Sequence, residues 1–119
     1  MILGGGTAGA PAARSLGKQL GAKHRVILIE KEGVLINSAA LPLYALGKRE
    51  RAHFSRNRSS LGRHGVELSP GEVHKIDPAG KIIHTAREEL SYDLLLITAG
   101  AVPYRVHPPG AAEVGVDLQ

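Results

Sequence analysis

The residues whose types and spacing could do chemistry stand at the start of the chain, where Gly4, Gly6 and Gly9 punctuate the run MILGGGTAGA. A short apolar stretch that turns straight into a helix through glycines is what a dinucleotide phosphate needs. Gly4 permits the tight turn, Gly6 lets backbone approach a pyrophosphate, and Gly9 lets helix and strand pack closely. The first N–H groups of the helix have no intrahelical partner and sit at the positive end of its dipole, so they form an anion cradle without a charged side chain. Glycine-rich turns of this spacing also arise for structural reasons alone. Context decides: the motif must follow a strand, open a helix and be answered by an acid about 20 residues later.

Glu30 is that acid. It ends the run Val26, Ile27, Leu28, Ile29, an apolar stretch that reads as a buried parallel strand. A carboxylate there accepts hydrogen bonds from both ribose hydroxyls and repels a 2'-phosphate, which favours FAD or NAD over NADP. The structural alternative is a carboxylate that merely faces solvent at a strand end.

The elements that position these residues follow from the pattern around them. Thr7 to about Leu20 reads as a helix with Ala13, Leu16 and Leu20 on one face. Pro11 falls in or beside its first turn, where a missing N–H costs little. Gly17 weakens its interior and Gly21 is the expected stop. With the strand ending at Glu30 this makes a βαβ unit over residues 1–32.

Residues 33–47 read as a loop with a helical turn around Leu43 to Leu46. A basic segment follows, which reads as a helix from about Arg51 to Arg63 stopped by Gly65. Residues 66–92 fall into short alternating segments punctuated by turn residues, and read as a small antiparallel meander. LLLIT, residues 94–98, is an unbroken apolar run that returns to the parallel sheet, and the TAG turn then brings the chain back beside the first glycines. Residues 102–119, with Pro103, Pro108 and Pro109, read as an irregular tail.

Bulk properties exclude several function classes. At 119 residues the chain makes one domain of ordinary size. It has no Cys, so disulfides, thiolate metal sites and redox cysteine pairs are absent from these residues. No apolar run approaches the roughly 20 residues that span a bilayer. The glycine motif begins almost at Met1, which leaves no room for a signal peptide, and a cytoplasmic location is expected.

The positive charge is concentrated between residues 48 and 64, where Lys48, Arg49, Arg51, Arg56, Arg58 and Arg63 face only Glu50. Such a patch attracts an anionic partner or is a solvated helix face. Only Phe54 interleaves with it, so a stacking platform for nucleic acid is not expected. The six histidines, His24, His53, His64, His74, His84 and His107, show no close pair with metal-ligand spacing, and no metal is expected. Ser59 and Ser60 lack a nucleophile elbow. The residues do not name a catalytic group.

An initial GGGTAG, an acid after the second strand, a meander and YDLLLITAGAVP together resemble the FAD domain of the two-dinucleotide-binding flavoprotein oxidoreductases, the FAD-dependent pyridine nucleotide/disulfide superfamily. Its FAD-binding half carries a sequence like YDxLxxATG, which here stands at Tyr92 to Gly100 with Thr98 and Ala99 in reversed order. LPLYALGKRER, HGVEL and GEVHKIDPAGK look most like sulfide:quinone oxidoreductases, type II NADH dehydrogenases and flavocytochrome c sulfide dehydrogenases.

The resemblance implies an α/β fold: a Rossmann-like FAD-binding domain with a parallel sheet and an inserted antiparallel β-meander. It also implies the site. Gly4, Gly6 and Gly9 would surround the FAD pyrophosphate, with Thr7 and Ala8 offering N–H groups. Glu30 would hold the adenosine ribose, Lys31 would lie beside the adenine, and Val73 would meet the adenine edge through its backbone. Thr98, Ala99 and Gly100 would close over the nucleotide, and Pro42 would be nearest the flavin.

Such enzymes continue with a second nucleotide-binding domain, a Gly-Asp segment that touches the ribityl chain, and often a membrane-anchoring region. The chain is accordingly expected to be an incomplete N-terminal portion of a larger enzyme, whose remaining polypeptide is a partner of these residues. A peripheral membrane contact on the cytoplasmic face would go with the full-length protein. The implied activity passes electrons from sulfide or NAD(P)H via FAD to a quinone or other acceptor. With ribityl and flavin contacts incomplete, weak or no retention of FAD is expected of these residues alone. The alternative is a non-redox NAD- or ADP-binding regulatory module.

Overall fold

A computed structural model describes residues 1–20, 23–31, 34–36, 41–48, 50, 55–57 and 59–101. Its centre is a four-stranded parallel sheet built from β1 (Ile2–Leu3), β2 (Val26–Glu30), β5 (Val66–Pro70) and β9 (Leu96–Ile97), in the order β5-β2-β1-β9. Between them in sequence come α1 (Gly9–Leu20), β3 (Val34–Ile36), α2 (Leu41–Ala45), β4 (Ser55–Asn57), α3 (Ser59–Gly62), and the meander β6 (Val73–Asp77), β7 (Ile82–Thr85) and β8 (Glu89–Ser91).

Three layers follow from the two-residue alternation along β2. Val26 and Leu28 face one side and pack with Ile2, Ala13, Leu61 and Val66, where α1 and α3 lie. Ile27 and Ile29 face the other side and meet Ile83 of the meander, with Val73, Ile76 and Leu90 around them. All four apolar residues of β2 are therefore buried, which is why the strand reads as a continuous apolar run. Edge positions differ: β5 is buried at Val66 and Ser69 and exposed at Glu67 and Pro70.

Helix α1 buries the expected face at Ala13 and in part at Leu16, but not at Leu20. Its buried stripe is Gly9, Ala13 and Gly17, while Leu16 is only partly covered and Leu20 is exposed. Small residues at four-residue spacing let the helix axis approach the sheet closely. Gly17 is required there, because a Cβ would collide with the His64 carbonyl oxygen. What looked like a weak point in the helix is thus its closest contact with the turn before β5. Pro11 sits in the first turn, as expected.

Three expectations are corrected. The basic segment is not one helix from Arg51 to Arg63: Ser55–Asn57 is a strand antiparallel to Val34–Ile36, and among the described residues of the segment the helix runs over Ser59–Gly62. Strand β3 itself was expected to be loop. The residue pairing is non-local, so a run of charge and polarity gave no local sign of it. Residues 51–54 and 58 lie outside the described residues, as do Gly21, the 102–119 tail and Asn37, which with Pro42 stands in the region after β2 expected to approach the flavin ring. Third, the meander does not begin at residue 66. Val66–Pro70 pairs parallel with Val26–Glu30, and only β6, β7 and β8 form the antiparallel unit. The alternation that suggested a half-exposed hairpin strand comes instead from an edge position in the parallel sheet. Pro70 is tolerated at that edge.

The returning strand is where it was expected, though shorter. Leu96 and Ile97 pair parallel with Ile2 and Leu3, so the end of β9 lies beside the end of β1.

Candidate nucleotide-binding cleft

The carboxyl ends of β1, β2, β5 and β9 converge on one edge of the sheet, where open α/β sheets bind their ligands. After Leu3 the chain turns through Gly4, whose φ of 93° lies in the left-handed region. A Cβ at Gly4 would stand 2.6 Å from the Thr98 carbonyl oxygen, and one at Gly9 would collide with the Gly4 carbonyl and the Thr98 hydroxyl. These two glycines therefore let the first turn, the start of α1 and the end of β9 occupy the same small space. Gly6 is different: a Cβ there would meet no protein atom within 4 Å. Its bareness keeps open space clear in front of the turn rather than accommodating a neighbour.

Thr98 joins the two bends. Its hydroxyl lies 2.8 Å from the Gly4 carbonyl oxygen and 3.0 Å from that of Leu3, and its N–H donates to Leu3 at 2.8 Å. Thr98 is thus spent on the backbone of β1, while the next residue, Ala99, lines the cleft. Gly100 follows with a φ of 78°.

Glu30, at the end of β2, accepts a hydrogen bond from the Gly5 N–H, which fixes its carboxylate beside the glycine turn. Its own carbonyl accepts from the Gly71 N–H at 3.1 Å, which ties the start of the meander to β2. The helical ladder of α1 begins with Ala10 N–H to the Gly6 carbonyl and Ala12 N–H to that of Ala8, so the N–H groups before Ala10 precede the ladder.

The cleft so formed has a volume of about 380 Å³. One wall is Leu3, Gly4, Ile29, Glu30, Lys31 and Ala99; the other is residues 71–76 at the start of the meander. Of the residues singled out in the sequence, Gly4, Glu30, Lys31, Val73 and Ala99 meet in this cleft. Gly6, Thr7, Ala8 and Gly9 continue the turn into α1 beside it. Pro42 is exposed in α2 and is not part of either wall. Sequence reasoning missed Glu72, His74 and Lys75. The available sign was that Val73 and Ile76 are three apart, a spacing that fits no regular strand face.

These residues fit the adenosine diphosphate half of a dinucleotide. The turn offers backbone N–H groups over a space that Gly6 leaves clear, and a carboxylate fixed 25 residues away in sequence stands at the adjoining strand end. Among the described residues no group of side chains could hold a metal ion.

Residues 1–119 match the family model of the pyridine nucleotide-disulphide oxidoreductases. The chain belongs to that family. Its members are FAD-dependent flavoprotein oxidoreductases, so FAD is the cofactor of this fold. Among solved structures, the water-forming NADH oxidase from Lactobacillus brevis, bound to NADH, is 26% identical with a TM-score of 0.75 over 92% of this chain and 26% of that one. The sulfide:quinone oxidoreductase of Aquifex aeolicus is 24% identical with a TM-score of 0.70, covering 81% of this chain and 23% of its own. The NADH:rubredoxin oxidoreductase of Clostridium acetobutylicum is 17% identical with a TM-score of 0.69, covering 91% of this chain and 29% of that one. The last two show the fold alone. Comparison with curated proteins finds no match. This member of the family thus spans about a quarter of the length of the solved chains it resembles.

Proposed function

We propose that these residues grip the adenosine diphosphate half of FAD in a flavin-dependent oxidoreductase, and that the rest of the polypeptide completes the flavin site. The observation that carries this reading is the convergence of the glycine turn, Glu30 and Ala99 on one cleft. When bound, the flavin supplies the electron transfer; the protein positions and tunes it. Here the first-turn N–H groups of α1 hold the pyrophosphate, the Glu30 carboxylate accepts from the ribose hydroxyls, and Lys31 and Val73 flank the adenine. Gly4, Gly9 and Thr98 hold the two bends at the separation this requires.

The whole enzyme passes electrons from sulfide or a reduced nicotinamide, through FAD, to a quinone or other acceptor. Sulfide oxidation calls for cysteines from outside these residues. No described helix is long and apolar enough to cross a membrane; a cytoplasmic location with peripheral membrane contact is part of the proposal.

The test is the colour and nucleotide content of the full-length protein as purified. The expected result is a yellow protein that loses FAD affinity about tenfold or more on Glu30→Ala, the loss of hydrogen bonds to a charged group. A colourless protein that binds ADP or NAD without flavin would favour the non-redox regulatory module instead.

A further inference from the structure

Strand β6 departs from regular pairing at one place. Val73 stands opposite Thr85 and Lys75 opposite His84, so His74 is the extra residue of a β-bulge. In an unbroken strand Val73 and Ile76, three apart, would face opposite sides. Both instead pack against the cluster of Ile27, Ile29 and Ile83. The bulge therefore leaves His74 and Lys75, adjacent in sequence, both exposed, away from that cluster and within the segment 71–76 that lines the cleft.

The two histidines of the meander are then in different situations. His84 stands 3.0 Å from the Glu89 carboxylate. The His74 side chain is exposed and makes no hydrogen bond or ion pair with another described residue. Bulges recur beside binding sites because they re-aim a side chain that regular pairing would point elsewhere. A neutral imidazole brings an aromatic face together with one donor and one acceptor nitrogen. That combination can stack on a purine or hydrogen-bond to its edge.

We infer that His74, left exposed at the cleft by the bulge beside Val73, contacts the adenosine end of the bound nucleotide and contributes to its affinity. The inference rests on the nucleotide reading of the cleft. It adds a side chain to a wall otherwise expected to act through backbone alone.

ADP titrated into the full chain provides the test, followed by the His74 and His84 ring resonances and by calorimetry. The His74 resonance is expected to move and the His84 resonance to stay. His74→Ala is expected to weaken ADP roughly fivefold, as for one neutral hydrogen bond, with His84→Ala unchanged and the melting temperature of His74→Ala at the wild-type value. ADP binding that Glu30→Ala reduces, but to which the His74 resonance and His74→Ala are both indifferent, overturns this inference alone. A chain that binds no ADP overturns the nucleotide reading with it.

Discussion

The two walls of the cleft are built by different physics. The wall of β1, the glycine turn and the end of β9 is a matter of backbone sterics: it exists because Gly4 and Gly9 lack a Cβ and because Thr98 clamps the two bends. The meander wall is a matter of packing and register. It is held through Ile83 against Ile27 and Ile29, through the Ser69 hydroxyl donating to the Glu88 carboxylate at 2.9 Å, and through a bulge. A steric wall tolerates no enlargement, whereas a packed wall can lose a polar contact and remain. The difference implies a hierarchy of sensitivity, and substitutions on each side test it.

The largest effect is expected at Gly9→Ala. The added methyl would overlap the Gly4 carbonyl and the Thr98 hydroxyl, so backbone must shift. A loss of about 3 kcal/mol or more is expected, measured by urea unfolding. A fully stable Gly9→Ala would mean that the first wall is not sterically set. Thr98→Val comes next. It keeps the shape and removes the hydroxyl held by the Leu3 and Gly4 carbonyls, at a cost of about 1 kcal/mol. Nucleotide affinity should fall with it, because the bends are no longer pinned together.

The smallest effect lies in the meander, at the turn between β6 and β7. Asp77 accepts from the N–H groups of Gly80 and Ala79, and these bonds, that of Gly80 foremost, hold its carboxyl below the ordinary value of 3.8. A depressed carboxyl stabilises the fold at pH above its unfolded value and loses that contribution as acid protonates it in the folded state. Melting temperature should therefore decline slightly as pH falls below 3.8, and Asp77→Asn should flatten that decline. An Asp77→Asn profile identical to wild type through this range would remove the turn from the account.

The same contrast explains what could be read from the sequence. Gly4, Gly9, Glu30 and the LLLIT run were legible because a glycine turn and a fully apolar strand each advertise their structure within a few residues. The strands Val34–Ile36 and Ser55–Asn57 were not, since each is a strand only by virtue of the other, some twenty residues away. Val66–Pro70 was assigned to the meander because an edge strand shows the same alternation whether its partner runs parallel or antiparallel. His74 was not singled out, because the bulge that exposes it shows in the sequence only as the three-residue spacing of Val73 and Ile76 and is settled by the pairing of β6 with β7. Pro42, expected nearest the flavin, is exposed in α2 and is not among the residues that line the cleft.

The central claim is that the first wall was left bare for a ligand, and Gly6 isolates it. A Cβ at Gly6 would touch nothing in the protein within 4 Å, and its φ is not in the left-handed region. ADP binding and melting temperature, measured together on Gly6→Ala, therefore separate fold from function. The account predicts a melting temperature within a few degrees of wild type, as for a change of about 0.5 kcal/mol, with ADP affinity reduced tenfold or more. A Gly6→Ala chain that binds ADP as tightly as wild type would contradict it.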